Sequence, residues 1–265
     1  MPLLQDLEQF QNVSPALQWA IFIVGCLIAV VAAVSVGISI VLSVKYMVYN
    51  RRMNSSNLSG KEAARMILDR NGLQHIRVSV VGSMLFGNSY SHYFKKVRLR
   101  RLTVKKPSIT SLAMGAEKSA LAILDKEGDK DMRTRVVLTP LMYLGPFAFI
   151  PIVAIGIVLD IIFFQFKGVV TIIAVVLGLG IYAISFLLSV MTLKTEKKAQ
   201  ERACAILREE NMATEEEVEM MKKLFKLYNI QYINDIILEF LQLVLKVLEL
   251  VAKVQNSSGS SSSSN

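Results

Sequence analysis

Between Gln9 and Val44 the chain carries no charge, and the run from Leu17 to Val44 exceeds the ~20 apolar residues that cross a bilayer core. Trp19 near one end and Tyr46 and Tyr49 near the other suit interfacial belts. Acidic Asp6 and Glu8 precede the run, and its length exceeds a signal-peptide core, so it is expected to be an uncleaved first span. A second apolar run, Val136 to Leu159, contains Pro140, Pro146 and Pro151, which membrane helices tolerate as kinks. A third runs from Gly168 to Leu193.

The polar stretches punctuate differently. Ser59-Gly60-Lys61-Glu62 has the form of a capping box, and the following helix, Gly60 to Arg70, should end at Asn71-Gly72. Ile76, Val78 and Val80 alternate like a strand, and Val97 and Leu99 suggest a second one. Pro107-Ser108 opens another helix that Gly128-Asp129 should close. Glu196 to Glu210 is expected to be a charged helix, and Thr214 with Glu217 caps one more. In the last helix, about Ile236 to Val254, Glu239, Gln242, Lys246, Glu249 and Lys253 form one thin polar stripe on an apolar cylinder. Those charges make a crossing costly, so packing on the other spans or at the interface competes with a fourth span.

The fold class expected is a mainly α-helical integral membrane protein. It has about three transmembrane helices, a small α+β lobe and a C-terminal amphipathic or membrane-packed helix. Its parts are an extracytoplasmic tail 1–16, a first span 17–44, a basic lobe 45–135, a two-span hairpin 136–193, helices 194–255 and a disordered Ser-rich tail 256–265. Composition agrees: 53% of residues are hydrophobic and mean hydropathy is +0.45. The net charge of +9 is concentrated after the first span, in the lobe that begins at Lys45 with Arg51 and Arg52. The positive-inside rule then puts the N-terminus outside and the lobe in the cytoplasm of a multi-pass cell-membrane protein. The basic residues Lys95, Lys96, Arg98, Arg100, Arg101, Lys105 and Lys106 are read as a lipid-facing patch rather than a nucleic-acid surface. Two cysteines, Cys26 and Cys204, make no disulfide framework.

Candidate chemistry centres on Ala116-Glu117-Lys118-Ser119-Ala120. In an H-E-x-x-H helix, two His at i and i+4 bind zinc and the Glu polarises the metal-bound water. Here the ligand positions are alanine and the Glu is kept. Only two His exist, His75 and His92, both read as loop residues. Lys118 or a nearby cytoplasmic Arg is the counter-charge at hand for Glu117, and Lys197 or Lys198 for Glu196.

Several further patterns occur in order. They are Ser59-Gly60-x-Glu62-x-Ala64-Arg65-x-Ile67-Leu68-Asp69-x-Asn71-Gly72-Leu73, Val97-Arg98-Leu99, Arg135-x-x-Leu138-x-Pro140 with Gly145, and Glu196-x-x-Ala199-x-x-Arg202-Ala203. Glu216-Glu217-Val218 with Lys222-Lys223 and Tyr232 follows. Together they resemble the bacterial membrane-bound zinc metallopeptidases of the YugP type, from about Leu58 to about Tyr232. The resemblance implies a zinc-metallopeptidase lobe whose two His ligands fall on Ala116 and Ala120, whose catalytic Glu falls on Glu117 and whose Glu ligand falls on Glu196. The family's Gly before the second His reads Ser119, and its Asp-His-Tyr-Asp stretch reads Ser91-His92-Tyr93-Phe94.

If zinc binding is worth ~10–16 kcal/mol over four ligands, losing two costs roughly 5–8 kcal/mol, about four to six powers of ten in affinity. The expectation is a vestigial site (Ala116, Ala120, Glu117, Glu196), no cofactor, and a pseudopeptidase that binds membrane lipid and a partner membrane protein or peptide segment. Two alternatives stay open. One is a hydrolase with an altered metal site using Glu117 and Glu196, in which His92 and Cys204 replace the missing zinc ligands or Glu201 completes a carboxylate-only Mg²⁺ or Ca²⁺ site; the other is a lipid-binding structural protein.

Overall fold

The computed structural model describes the backbone of residues 13–81, 87–163 and 169–262, and the side chains of these except 140–147 and 257–262. The first twelve residues and 164–168 lie outside them, so the expected extracytoplasmic tail 1–16 is not described up to residue 12. The elements are α1 (Pro15–Arg51), α2 (Gly60–Arg70), β1 (Arg77–Val80), β2 (Ser89–Ser91), β3 (Lys96–Leu99), α3 (Arg101–Val104), α4 (Ile109–Glu127), α5 (Lys130–Phe163), α6 (Val169–Glu209) and α7 (Glu215–Ser262). The chain forms two compact units, one of residues 37–140 and 188–233, the other of 1–36, 141–187 and 234–265.

In the first unit, local chemistry sets the helix ends. Ser59 accepts from the Glu62 N–H while Glu62 accepts from the Ser59 N–H, so the capping box closes as its residues require. Gly72 and Gly128 adopt positive φ at the two C-termini. Ser108 caps α4 through the Ser111 N–H, and Thr214 and Glu217 cap α7 reciprocally. The sheet has order β1-β3-β2, with β1 parallel and β2 antiparallel to β3. Val97 and Leu99 turn into the core while Lys96 and Arg98 project from the other face.

Helix α4 is the centre of this unit: every residue from Ile109 to Leu124 is buried. Ala63, Ala64, Ile67 and Leu68 of α2, Ala199, Ala203 and Leu207 of α6, and Val218, Met221 and Leu224 of α7 pack in the same core. The approach of α2 to α4 is set by glycine. A Cβ on Gly115 would stand 2.5 Å from the Gly60 carbonyl oxygen, and one on Gly60 would stand 2.9 Å from the Ser111 carbonyl oxygen of α4.

The second unit is built from helical segments whose outer surface is apolar. Trp19, Phe22 and Val30 of α1, Ile172, Val176 and Leu187 of α6, and Phe240 and Val254 of α7 are all exposed. By length and composition, Pro15–Arg51 and Val169–Glu209 suffice to cross a membrane, and Ala148–Phe163 is a shorter apolar helix. The helices differ from expectation in their continuity. Leu193-Lys194-Thr195-Glu196 contains no glycine or proline, so the third apolar run and the charged helix form the single α6. The helix capped by Thr214 likewise runs unbroken into the last helix and on to Ser262, where a disordered tail is expected.

Candidate functional site

Because α4 is enclosed, its charged residues must find partners inside the protein. Glu117 and Lys118 are only 4% and 8% exposed. The Lys118 ammonium lies 3.0 Å from a carboxylate oxygen of Glu117 and 3.0 Å from one of Glu196 on α6. Arg135 of α5 donates to the other Glu196 oxygen at 2.7 Å. Gln200, one turn beyond Glu196, donates to Glu117 at 2.9 Å and accepts from Asn229 of α7 at 2.8 Å. Four helices thus meet in one network of two carboxylates and two cations.

Its electrostatics are set by burial and by these pairs. Burial pushes the Glu117 carboxyl up; Lys118 offsets part of this, and the neighbouring Glu196 charge adds to the rise. Burial acts upward on Glu196 too, but the Lys118 and Arg135 charges and their hydrogen bonds outweigh it and hold it at about 2. For Lys118, burial acts downward and is outweighed by Glu117 and Glu196, so the ammonium is held above its usual range. The cavity beside the network encloses about 230 Å³. Met114, Glu117 and Lys118 of α4, Glu196 and Gln200 of α6, and Tyr228 of α7 line it.

The sequence-read positions are distributed unevenly. Glu117 and Glu196 converge. Ala116 and Ala120 are fully buried in the core, and at 3.6 residues per turn each lies about 160° around α4 from Lys118. Glu196 pairs with Lys118 and Arg135 rather than with Lys197 or Lys198, and Lys198 instead engages Asp129 and Asp131. Glu201 and Cys204 line a separate groove on α6 with Arg208 and Lys222. The basic residues divide: Arg100 reaches the cavity, Lys95 lies 3.9 Å from Asp125, Arg98 sits over the Phe94 ring, and Lys105 lines a groove with Glu62 and Arg65. Arg101 is exposed, and Lys96 and Lys106 are half-buried.

His75 is exposed. His92 lies in the turn between β2 and β3, a loop residue as expected, and its Nδ1 lies 2.6 Å from the Asp125 carboxylate, which also accepts the Tyr90 hydroxyl at 2.6 Å. Burial and this hydrogen bond push the Tyr90 phenol up. Among the described residues no group of three or more His, Cys, Asp or Glu gathers as metal donors.

The donor set does not fit a catalytic zinc, which takes three protein ligands and leaves a position open. The two carboxylates already hold two buried cations. The unsatisfied polar atom at the site is itself a donor, since Arg135 Nη1 is buried without a hydrogen-bond partner. Such a group invites an acceptor rather than a cation.

The sequence pattern of one family, described as putative neutral zinc metallopeptidase, matches residues 7–251, nearly the whole chain. Comparison with curated proteins and with solved structures gives no match.

Proposed function

The chain belongs to the putative neutral zinc metallopeptidase family, and from that premise we propose that it is a membrane-embedded pseudopeptidase. In this reading it keeps the family's cleft but not its hydrolytic chemistry, and uses the cleft to hold a peptide segment or a partner membrane protein. The observation that carries it is Lys118: one ammonium sits 3.0 Å from both carboxylates of the would-be metal site. A buried ion pair of this kind is self-sufficient in charge. The positions that would add neutral donors, Ala116 and Ala120, have none. Two helices long and apolar enough to cross a bilayer support the membrane setting. The excess of Lys and Arg from Lys45 onward supports a cytoplasmic lobe with the N-terminus outside.

Metal analysis and peptide-hydrolysis assays on the detergent-purified full chain test this reading. The expected result is substoichiometric zinc and no chelator-sensitive cleavage of unstructured peptides. One zinc per chain, lost with Glu196→Gln, together with hydrolysis lost with Glu117→Gln, overturns it in favour of an enzyme with a rebuilt metal site.

A further inference from the structure

We infer that the second half of α7 is a further membrane crossing, with apolar side chains seated against lipid acyl chains and the polar residues of its central turns, Gln242 and Lys246, held against neighbouring helices. The inference rests on the membrane reading above.

The first support is alignment. Gln255 accepts from the Ser14 N–H at 3.2 Å, Asp235 accepts from the Ser35 hydroxyl at 3.3 Å, and Asn234 donates to the Val31 carbonyl at 3.5 Å. Residue numbers rise on α7 as they fall on α1, so the two helices run antiparallel along the whole of that apolar stretch. From Asp235 to Gln255 the helix rises about 30 Å, the thickness of a hydrocarbon core. Contacts with α6 carry the same sense: the Phe186 and Phe240 rings meet at a tilt, 5.4 Å between centroids, and the Tyr182 hydroxyl donates to Gln242 at 3.3 Å. A helix paired in this way with a spanning α1 shares its depth and cannot lie flat at the interface.

The second support is where the polar groups go. The Lys246 ammonium stands 4.6 Å from the Phe149 ring centroid and 6.0 Å from that of Tyr182. Such cation–π contact is the kind of partner a charge needs when water is withdrawn. Asp235 thus meets α1, and Gln242 and Lys246 of the stripe meet α5 and α6, although Asp235 and Gln242 keep one side exposed. Glu249 and Lys253, nearer the end of the stretch, are exposed beside Ile237, Phe240, Val247, Val251 and Val254. Large apolar side chains outnumber polar ones on the exposed surface, the reverse of a water-facing helix, and Asp235 and Lys253 stand near the two ends of the stretch, where a long or terminal polar side chain reaches the interface.

The consequence is topological: the tail after Gln255 lies on the same side as the N-terminus and opposite the basic lobe. Single cysteines at Gln11→Cys, Lys105→Cys and Ser258→Cys, in a Cys26→Ser, Cys204→Ser full-length chain, report this through a membrane-impermeant maleimide applied before and after permeabilising the cells. Positions 11 and 258 are expected to label alike, and position 105 in the opposite condition. Labelling of 258 together with 105 overturns the crossing.

Because Cys204 is buried and its loss can disturb folding, a second measurement uses the unaltered chain with a C-terminal reporter that fluoresces only in the cytoplasm. A C-terminal reporter in the same state, dark or bright, as one fused to the N-terminus of the membrane-integrated protein supports the crossing, and opposite states at the two ends remove it. Failure of the membrane reading itself has a different signature: alkaline carbonate then extracts the whole chain without detergent.

Discussion

Lys118 and Glu196, 78 positions apart in the chain, meet at 3.0 Å in the buried centre of the first unit. The pair joins α4 to α6, and Arg135 at 2.7 Å from the same carboxylate adds α5. Removing one member of a buried, hydrogen-bonded pair leaves the other charge without compensation. Lys118→Met and Glu196→Gln are each expected to destabilise the unit by about 3–5 kcal/mol. The double variant should cost less than the two single losses summed, because the charges disappear together. Thermal unfolding in detergent measures all three. Strict additivity would show that the two side chains do not act on each other.

The two carboxylates of the network should drive stability in opposite directions with pH. Glu196 is held at about 2 from an ordinary 4.5. Its contribution, on the order of 3 kcal/mol, is present above about pH 4.5 and lost as pH falls toward 2. Glu117 is shifted upward by burial, so its proton favours the folded state. That contribution is full below the ordinary Glu range and disappears as pH rises through the folded value. Glu117→Gln should therefore cost far less than Glu196→Gln at neutral pH, within about 1 kcal/mol of the parent. Glu196→Gln should also flatten the acid limb of a plot of unfolding midpoint against pH.

How much of this can be read from the sequence depends on how local each cause is. The caps of α2, α4 and α7 follow from Ser59 with Glu62, Ser108, and Thr214 with Glu217, all within one turn, and they form as their residues require. Strand β2 is different. Ser89-Tyr90-Ser91 has no apolar alternation and exists through its pairing with β3, which no local pattern announces. Glu117 beside Lys118 is visible as a neighbouring pair, but the reach of that lysine to Glu196 and the arrival of Arg135 are tertiary facts. Sequence proximity favours Lys197 and Lys198 for Glu196, whereas α6 directs Lys198 toward Asp129 and Asp131. The Asp125 cluster with Tyr90 and His92 is equally non-local, although an aromatic and a histidine two positions apart near a strand were a signal available to be weighed.

Close backbone approach, rather than side-chain packing, sets the seat of α2 on α4. Gly115→Ala puts a methyl 2.5 Å from the Gly60 carbonyl oxygen, which must be relieved by moving a helix. The expected loss is about 2–3 kcal/mol or failure to fold. Ser59→Ala removes only a cap at the same junction and should cost about 1 kcal/mol. Chemical denaturation of the two variants checks the order; an alanine at 115 that is better tolerated than one at 59 refutes the glycine contact.

If the network stands where a metal once did, restoring ligands should expose the competition between zinc and lysine. Ala116→His with Ala120→His supplies two imidazoles on one face of α4, about 160° around the helix from Lys118. With Lys118 in place, Glu196 remains committed to the ammonium, and zinc must break a buried ion pair to recruit it. Adding Lys118→Met removes that competitor and leaves Glu196 with Arg135 alone. The triple variant is therefore expected to bind zinc at least about tenfold more tightly than the double, a difference of roughly 1.4 kcal/mol. Titration of the purified protein with zinc against a competing chelator measures both constants. Equal affinities would mean that the alanine face and the Glu196 cavity are unconnected, and the descent of this network from a metal centre would then have no physical support.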